Sequence, residues 1–173
     1  KNMTGTNPLH KSFRRPIVTR DEFMPTQPAQ WFVDQRVIFA YAYGDLTNDE
    51  MAQHNERMIE LLDSADPLVH VILVTHPETH LPKPSIAAGR RILSFIGHKN
   101  LGWNIVVHNP YTIMAKMSIL LAKISRARYR QFDNVDVAIN FLKEIDRTVD
   151  WNTADISLLK VLESYPPNAP NSV

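Results

Sequence analysis

The sequence has no cysteine among its 173 residues. Disulfides, thiolate metal sites and a cysteine nucleophile are therefore excluded, and a reducing compartment, the cytoplasm, is the expected location. Only five glycines occur. Gly44, Gly89, Gly97 and Gly102 stand apart from one another, so no glycine-rich loop is available to cradle phosphate. A Gly-x-Ser-x-Gly elbow is also missing. No apolar run approaches the roughly 18 residues that span a bilayer, so no integral membrane segment is expected. Acids are missing altogether from one long stretch, Thr79 to Phe132. An apolar share of 44% places the chain among globular proteins rather than disordered ones.

The formal net charge of +1 conceals a segregation. The first twenty residues carry +5 and the segment from Asp21 to Glu78 carries −9. The acid-free segment carries +9, from Lys83, Arg90, Arg91, Lys99, Lys116, Lys123, Arg126, Arg128 and Arg130, and the remainder carries −4. Either folding interleaves these blocks and neutralises them, or the molecule has one basic side that attracts an anionic partner.

The pattern of apolar residues predicts an α/β fold. Residues 1–29 mix prolines with polar and basic residues and read as an extended arm. Gln30–Val33 and Arg36–Tyr43 form a hairpin about Asp34-Gln35. Thr47-Asn48-Asp49-Glu50 is a capping box that opens a helix to about Ser64. Leu68–Thr75, nearly all apolar and β-branched, suits a central strand buried on both faces. Ser85 caps a helix to about Ile96, Trp103–His108 is a strand, and Tyr111 to about Ser125 is a helix. Ala127–Phe132 is an edge strand, followed by a helix capped by Asp133-Asn134. This gives a mixed, mostly parallel sheet with an N-terminal hairpin and helices packed on it, in the order ββαβαβαβα. The domain spans 30–147. One extra helix from Thr153 to Ser164 falls in 148–165, and a loose tail follows at 166–173.

A hairpin, then Gly44-Asp45-Leu46-Thr47 opening an acidic helix, then an apolar strand, resembles the STAS fold. The resemblance is closest to the SpoIIAA-like branch of anti-sigma-factor antagonists. The closing segment from Phe132 through Asp133, Asn134 and Ala138 to Phe141-Leu142 is similar to that branch's last strand and helix. The resemblance covers roughly residues 30–147. It implies a bacterial, non-enzymatic regulatory or protein-interaction module of the kind used in anti-sigma-type partner switching. One departure is clear: phosphorylatable members carry an Asp-Ser or Asp-Thr pair at the start of the helix after the central strand, and no Asp precedes Ser85 here.

Two sets of residues are candidates for function. Ser85, Arg90, Arg91, Lys116 and Lys123 would form an interaction surface for an acidic protein or for a second copy of the chain. In open α/β sheets ligands bind outside the carboxyl ends of the strands. That edge would gather Thr75, His76, His80, His108, Asn109 and Tyr111, a polar set able to hold a small anion. A metal is not expected at His76 and His80, because Pro77 and Pro82 make the segment a loop and remove the i, i+4 helical geometry; no cofactor is expected either. Nucleic acid is not an expected partner, since the apolar residues of Tyr111–Arg130 fall at core spacing. The alternative function is a small-ligand or lipid carrier related to the CRAL-TRIO fold, with Met51, Met58, Met114 and Met117 as adaptable lining. An enzyme built on the histidine loop ranks third.

Overall fold

The computed structural model describes residues 26–66, 68–77, 79, 80, 91, 93–107, 123 and 127–163. Strand β1 (Thr26–Val33) turns back into β2 (Val37–Ala42), helix α1 (Asn48–Ser64) follows, and then β3 (Val69–Thr75). A 3-10 turn at Ser94–Gly97 leads to β4 (Leu101–Val107), and β5 (Arg128–Phe132) precedes helix α2 (Val135–Ile145). The five strands form one sheet in chain order, β1-β2-β3-β4-β5. β1 is antiparallel to β2, and the remaining pairs are parallel. The expected α/β architecture, with its N-terminal hairpin and mixed sheet, is the observed one. Among the described residues no helix is long and apolar enough to cross a membrane.

Burial explains why β2 and β3 read as unbroken apolar runs. Ile38, Ala40, Val69 and Val71 face α1, where Met51, Met58, Leu61 and Leu62 meet them. Val37, Phe39, Tyr41, Ile72 and Val74 face the other way, onto Ala138, Ile139 and Leu142 of α2. A strand covered on both faces has no solvent side on which to alternate. The sheet therefore separates two cores, one under each helix.

Local sequence fixes the ends of α1. The Glu50 amide donates to the Thr47 hydroxyl at 3.2 Å, and the Thr47 amide donates to the Glu50 carboxylate at 2.7 Å. The Thr47 amide, and the Thr47 hydroxyl donating to the same carboxylate at 2.8 Å, hold the Glu50 carboxyl below its usual range. At the far end the Asn100 side chain donates to the carbonyls of Leu62 and Ala65, at 2.9 and 2.8 Å, satisfying acceptors that the helix leaves open. In the middle of α1 the buried Asn55 bonds the Ser94 hydroxyl and the Phe95 amide, tying the helix to the 3-10 turn.

Several segments differ from the sequence expectation. β1 begins at Thr26, so it takes in part of the expected arm. The hairpin turn needs a left-handed residue, which is Gln35 at φ 57°. In place of one helix from Thr153 to Ser164, the chain makes 3-10 turns at Trp151–Thr153 and Ile156–Leu159 and then a short helix, α3 (Lys160–Glu163). The cause is tertiary. The Asp155 amide donates to the Phe32 carbonyl at 2.7 Å, and the Asp155 side chain caps Ser157, so the chain restarts there. The helix expected to run to about Ile96 has given way to a turn at Leu93 and the 3-10 turn from Ser94; apart from these residues, Arg91 and Lys123, the expected helices at 86–96 and 111–125 lie outside the described residues. The expected arm before Thr26 and the tail also lie outside them.

Loss of the α1 cap should be felt across the whole domain. Thr47→Ala is expected to lower unfolding free energy by about 1 kcal/mol, read from the denaturant midpoint, with an unchanged transition slope.

Candidate functional site

At the carboxyl edge of the sheet, two loops are laced together. Gly44 turns the chain after β2 with φ 76°, a conformation that suits a residue without Cβ. The segment after β3 runs beside it. The His76 amide and the Thr79 hydroxyl both donate to the Ala42 carbonyl at 2.9 Å, and the His80 amide donates to the Gly44 carbonyl at 3.0 Å. The Leu46 amide donates back to the His80 carbonyl at 3.0 Å. Over this lacing His80 Nδ1 meets the Asp45 carboxylate at 3.1 Å, in full contact with water. The His76 ring stands edge-on to Tyr43 at 4.9 Å between centroids.

Thr75, His76 and His80 are thus brought to one edge, as the sequence suggests, with Asp45 and Thr79 added to them. His108, Asn109 and Tyr111 lie outside the described residues. His70 does not join the set, because it starts β3 and sits at the opposite end of the sheet. Among the described residues no group of three or more His, Asp or Glu side chains is arranged to hold a metal. Of the expected interaction surface, Ser85, Arg90 and Lys116 lie outside the described residues. Lys123 is exposed, and Arg91 forms an ion pair with Glu56 of α1 at 3.0 Å. Part of the basic block is therefore offset by the acidic helix.

The most constrained polar cluster was not visible in the sequence. β4 carries a bulge: Val69 pairs with Leu101 and Val71 with Asn104, so His70 faces two residues, Gly102 and Trp103. The Trp103 amide donates to His70 Nδ1 at 3.0 Å. An amide must donate, so Nδ1 is the acceptor, Nε2 carries the proton, and Nε2 donates to Asp146 Oδ2 at 3.1 Å. Arg36 bonds the same carboxylate at 2.9 Å and the Thr148 hydroxyl at 2.7 Å. A Cβ on Gly102 would stand 2.6 Å from His70 Nδ1, so only glycine leaves room for the ring. β4 begins at Leu101, before the strand expected from Trp103, which places Gly102 inside it, where a glycine marks a bulge or a close approach.

This cluster is a buried structural lock. His70 is almost fully buried, and both ring nitrogens are committed. Burial lowers the His70 pKa, outweighing the pull of Asp146, while Arg36 and Arg128 push the same way as burial. Burial alone would raise Asp146; the Thr148 hydroxyl and amide, His70 and Arg36 overcome it and hold the carboxyl down to about 2.

A second arrangement stands at the β5 edge. Phe141 of α2 meets Trp103 edge-on at 5.0 Å and Phe132 at 5.3 Å. The Arg130 guanidinium lies over Phe141 at 4.5 Å and over Phe132 at 5.2 Å. Arg128 and Arg130 are both exposed and belong to the acid-free segment.

The lock predicts a pH dependence whose sign is fixed. With its folded pKa lowered, His70 binds a proton more readily in the unfolded chain, so stability falls as the pH drops below about 6.5. Asp146 adds a second loss as the pH falls from about 4 towards 2. His70→Gln is expected to be less stable than the native chain at pH 7 and to show a flatter stability profile between about pH 6.5 and pH 5. Equal slopes for the two proteins in urea titrations would remove His70 as the cause.

Compared with known proteins, the chain matches no family model, no characterised protein and no solved structure.

Proposed function

We propose that this protein is a non-enzymatic regulatory or protein-interaction module of the STAS, SpoIIAA-like kind, working through a basic surface that meets an acidic partner. The observation that carries this reading is the strand order. A sheet that runs β1-β2-β3-β4-β5 in sequence never reverses its winding. The crevice that holds ligands in doubly wound sheets opens where the strand order reverses, and this sheet has no such point. The described part of its carboxyl edge is instead closed by backbone hydrogen bonds between neighbouring loops. Recognition through an exposed surface suits such a frame.

The basic segment supplies the surface. Arg91 is matched by Glu56, but Lys123, Arg128 and Arg130 stand exposed, and Arg130 is held by two aromatic rings, with no carboxylate paired to it among the described residues. Arginine stacked on aromatics keeps its charge and its donors while losing freedom, a combination common at protein interfaces. Steering by exposed positive charge acts mainly on the association rate. A second copy of this chain, through its acidic α1, is the competing partner.

Both partners are tested by one variant. Lys123→Glu with Arg128→Glu should leave the fold intact, since both side chains are exposed. The native chain is expected to bind immobilised poly-glutamate with a rate that drops steeply between about 0.01 and 0.1 M salt, as the screening length shrinks from about 30 to about 10 Å. The variant should lose most of that rate, and sedimentation of both proteins reports self-association. A salt-independent rate, equal in the two proteins, would contradict the reading.

A further inference from the structure

A cleft of about 340 Å³ opens between α2 and the turns that follow it, within the range of small-molecule sites. Phe32 and Ile139 line its inner part, and Trp151 and Ile156 line its outer part. Phe32 is fully buried and stacks edge-on with Trp151 at 6.5 Å. Ile156 is 69% exposed, the highest value among the large apolar side chains described. An apolar side chain left in water beside an apolar cleft gains by being covered.

The polar lining comes from one helix face. Asp136, Asn140 and Lys143 are spaced four and then three residues apart along α2, so they stand in a row. Lys143 Nζ lies over the Trp151 ring at 5.7 Å, which places the ammonium at one end of the cleft. Asn140 is one turn away and offers amide donors beside it. Asp136 lies two turns from Lys143, about 10 Å along the axis. Among the described residues, no ion pair engages any of these three side chains.

We propose that this cleft binds an amphipathic monocarboxylate, with its head on Lys143 and Asn140 and its chain along Phe32, Ile139, Trp151 and Ile156. A single ammonium matches a single negative charge. Asp136 at the other end repels a second anionic group, so dicarboxylates and polyphosphates are disfavoured. The apolar lining between the two ends takes an alkyl or aryl body, which a free inorganic anion lacks. This site is separate from the basic surface of the proposed function and stands whether or not that surface finds a partner.

Titration of the full chain with octanoate, followed by amide and indole NMR signals, tests the assignment. Saturable shifts are expected at Asn140, Lys143 and the Trp151 indole. Lys143→Ala should weaken octanoate binding by at least about tenfold, as loss of a charge-assisted contact does. Octanol, which lacks the charge, and inorganic phosphate, which lacks the chain, should each bind more weakly than octanoate. Ile156→Ser should weaken octanoate and leave phosphate unchanged. The proposal is overturned if octanoate gives no saturable shift, if phosphate binds as well as octanoate, or if Lys143→Ala binds octanoate like the native chain. That last result would leave Lys143 serving only the negative end of the α2 dipole.

Discussion

A single buried imidazole holds together parts of the chain that local sequence would leave apart. His70 accepts from β4 through the Trp103 amide and donates to Asp146, the C-cap of α2, and Asp146 also binds Arg36 at the start of β2. An acid at a helix C-terminus is opposed by the helix dipole, by about 0.3–1 kcal/mol at an exposed site. Asp146 is offset in that position by the Arg36 guanidinium, the imidazole and the Thr148 hydroxyl and amide. The bulge opposite His70 makes the Trp103 amide available, and Gly102 makes room for the ring. Each part depends on the others, which is why the cluster closes the amino end of the sheet so firmly.

That closure shapes where function can reside. One end of the sheet is occupied by the lock, and the described part of the other is laced by the loops after β2 and β3. Both faces of β2 and β3 are filled by the two helical layers. The described structure presents on its outside, among other features, the arginine-bearing edge at β5 and the outer side of α2 where the chain doubles back. The basic surface and the apolar cleft are physically distinct features of that outside. As proposed, one would act through long-range charge, the other through short-range burial with a single charge to orient it.

What could be read from the sequence was what local chemistry determines. Thr47 and Glu50 are three residues apart, and their cap is written in four consecutive letters. The run at Leu68–Thr75 states its two-sided burial directly. Asn134 caps α2 as its place before an apolar stripe suggests. The lock was not legible, because His70 and Asp146 are separated by 76 positions and nothing near either names the other. The break in the C-terminal helix was hidden for the same reason: the Asp155 amide is claimed by a carbonyl on β1. Charge counting found the basic segment but could not reveal that Glu56 would answer Arg91, or that aromatic rings would carry Arg130.

The most direct test of this account is the protonation state of His70 in the intact chain, read from its ring-nitrogen chemical shifts as the pH is lowered. The account predicts a neutral ring at pH 7 with the proton on Nε2 and Nδ1 as acceptor, remaining neutral below the ordinary histidine pKa of about 6.5. A proton on Nδ1 at pH 7, or titration at or above that ordinary value, would contradict it.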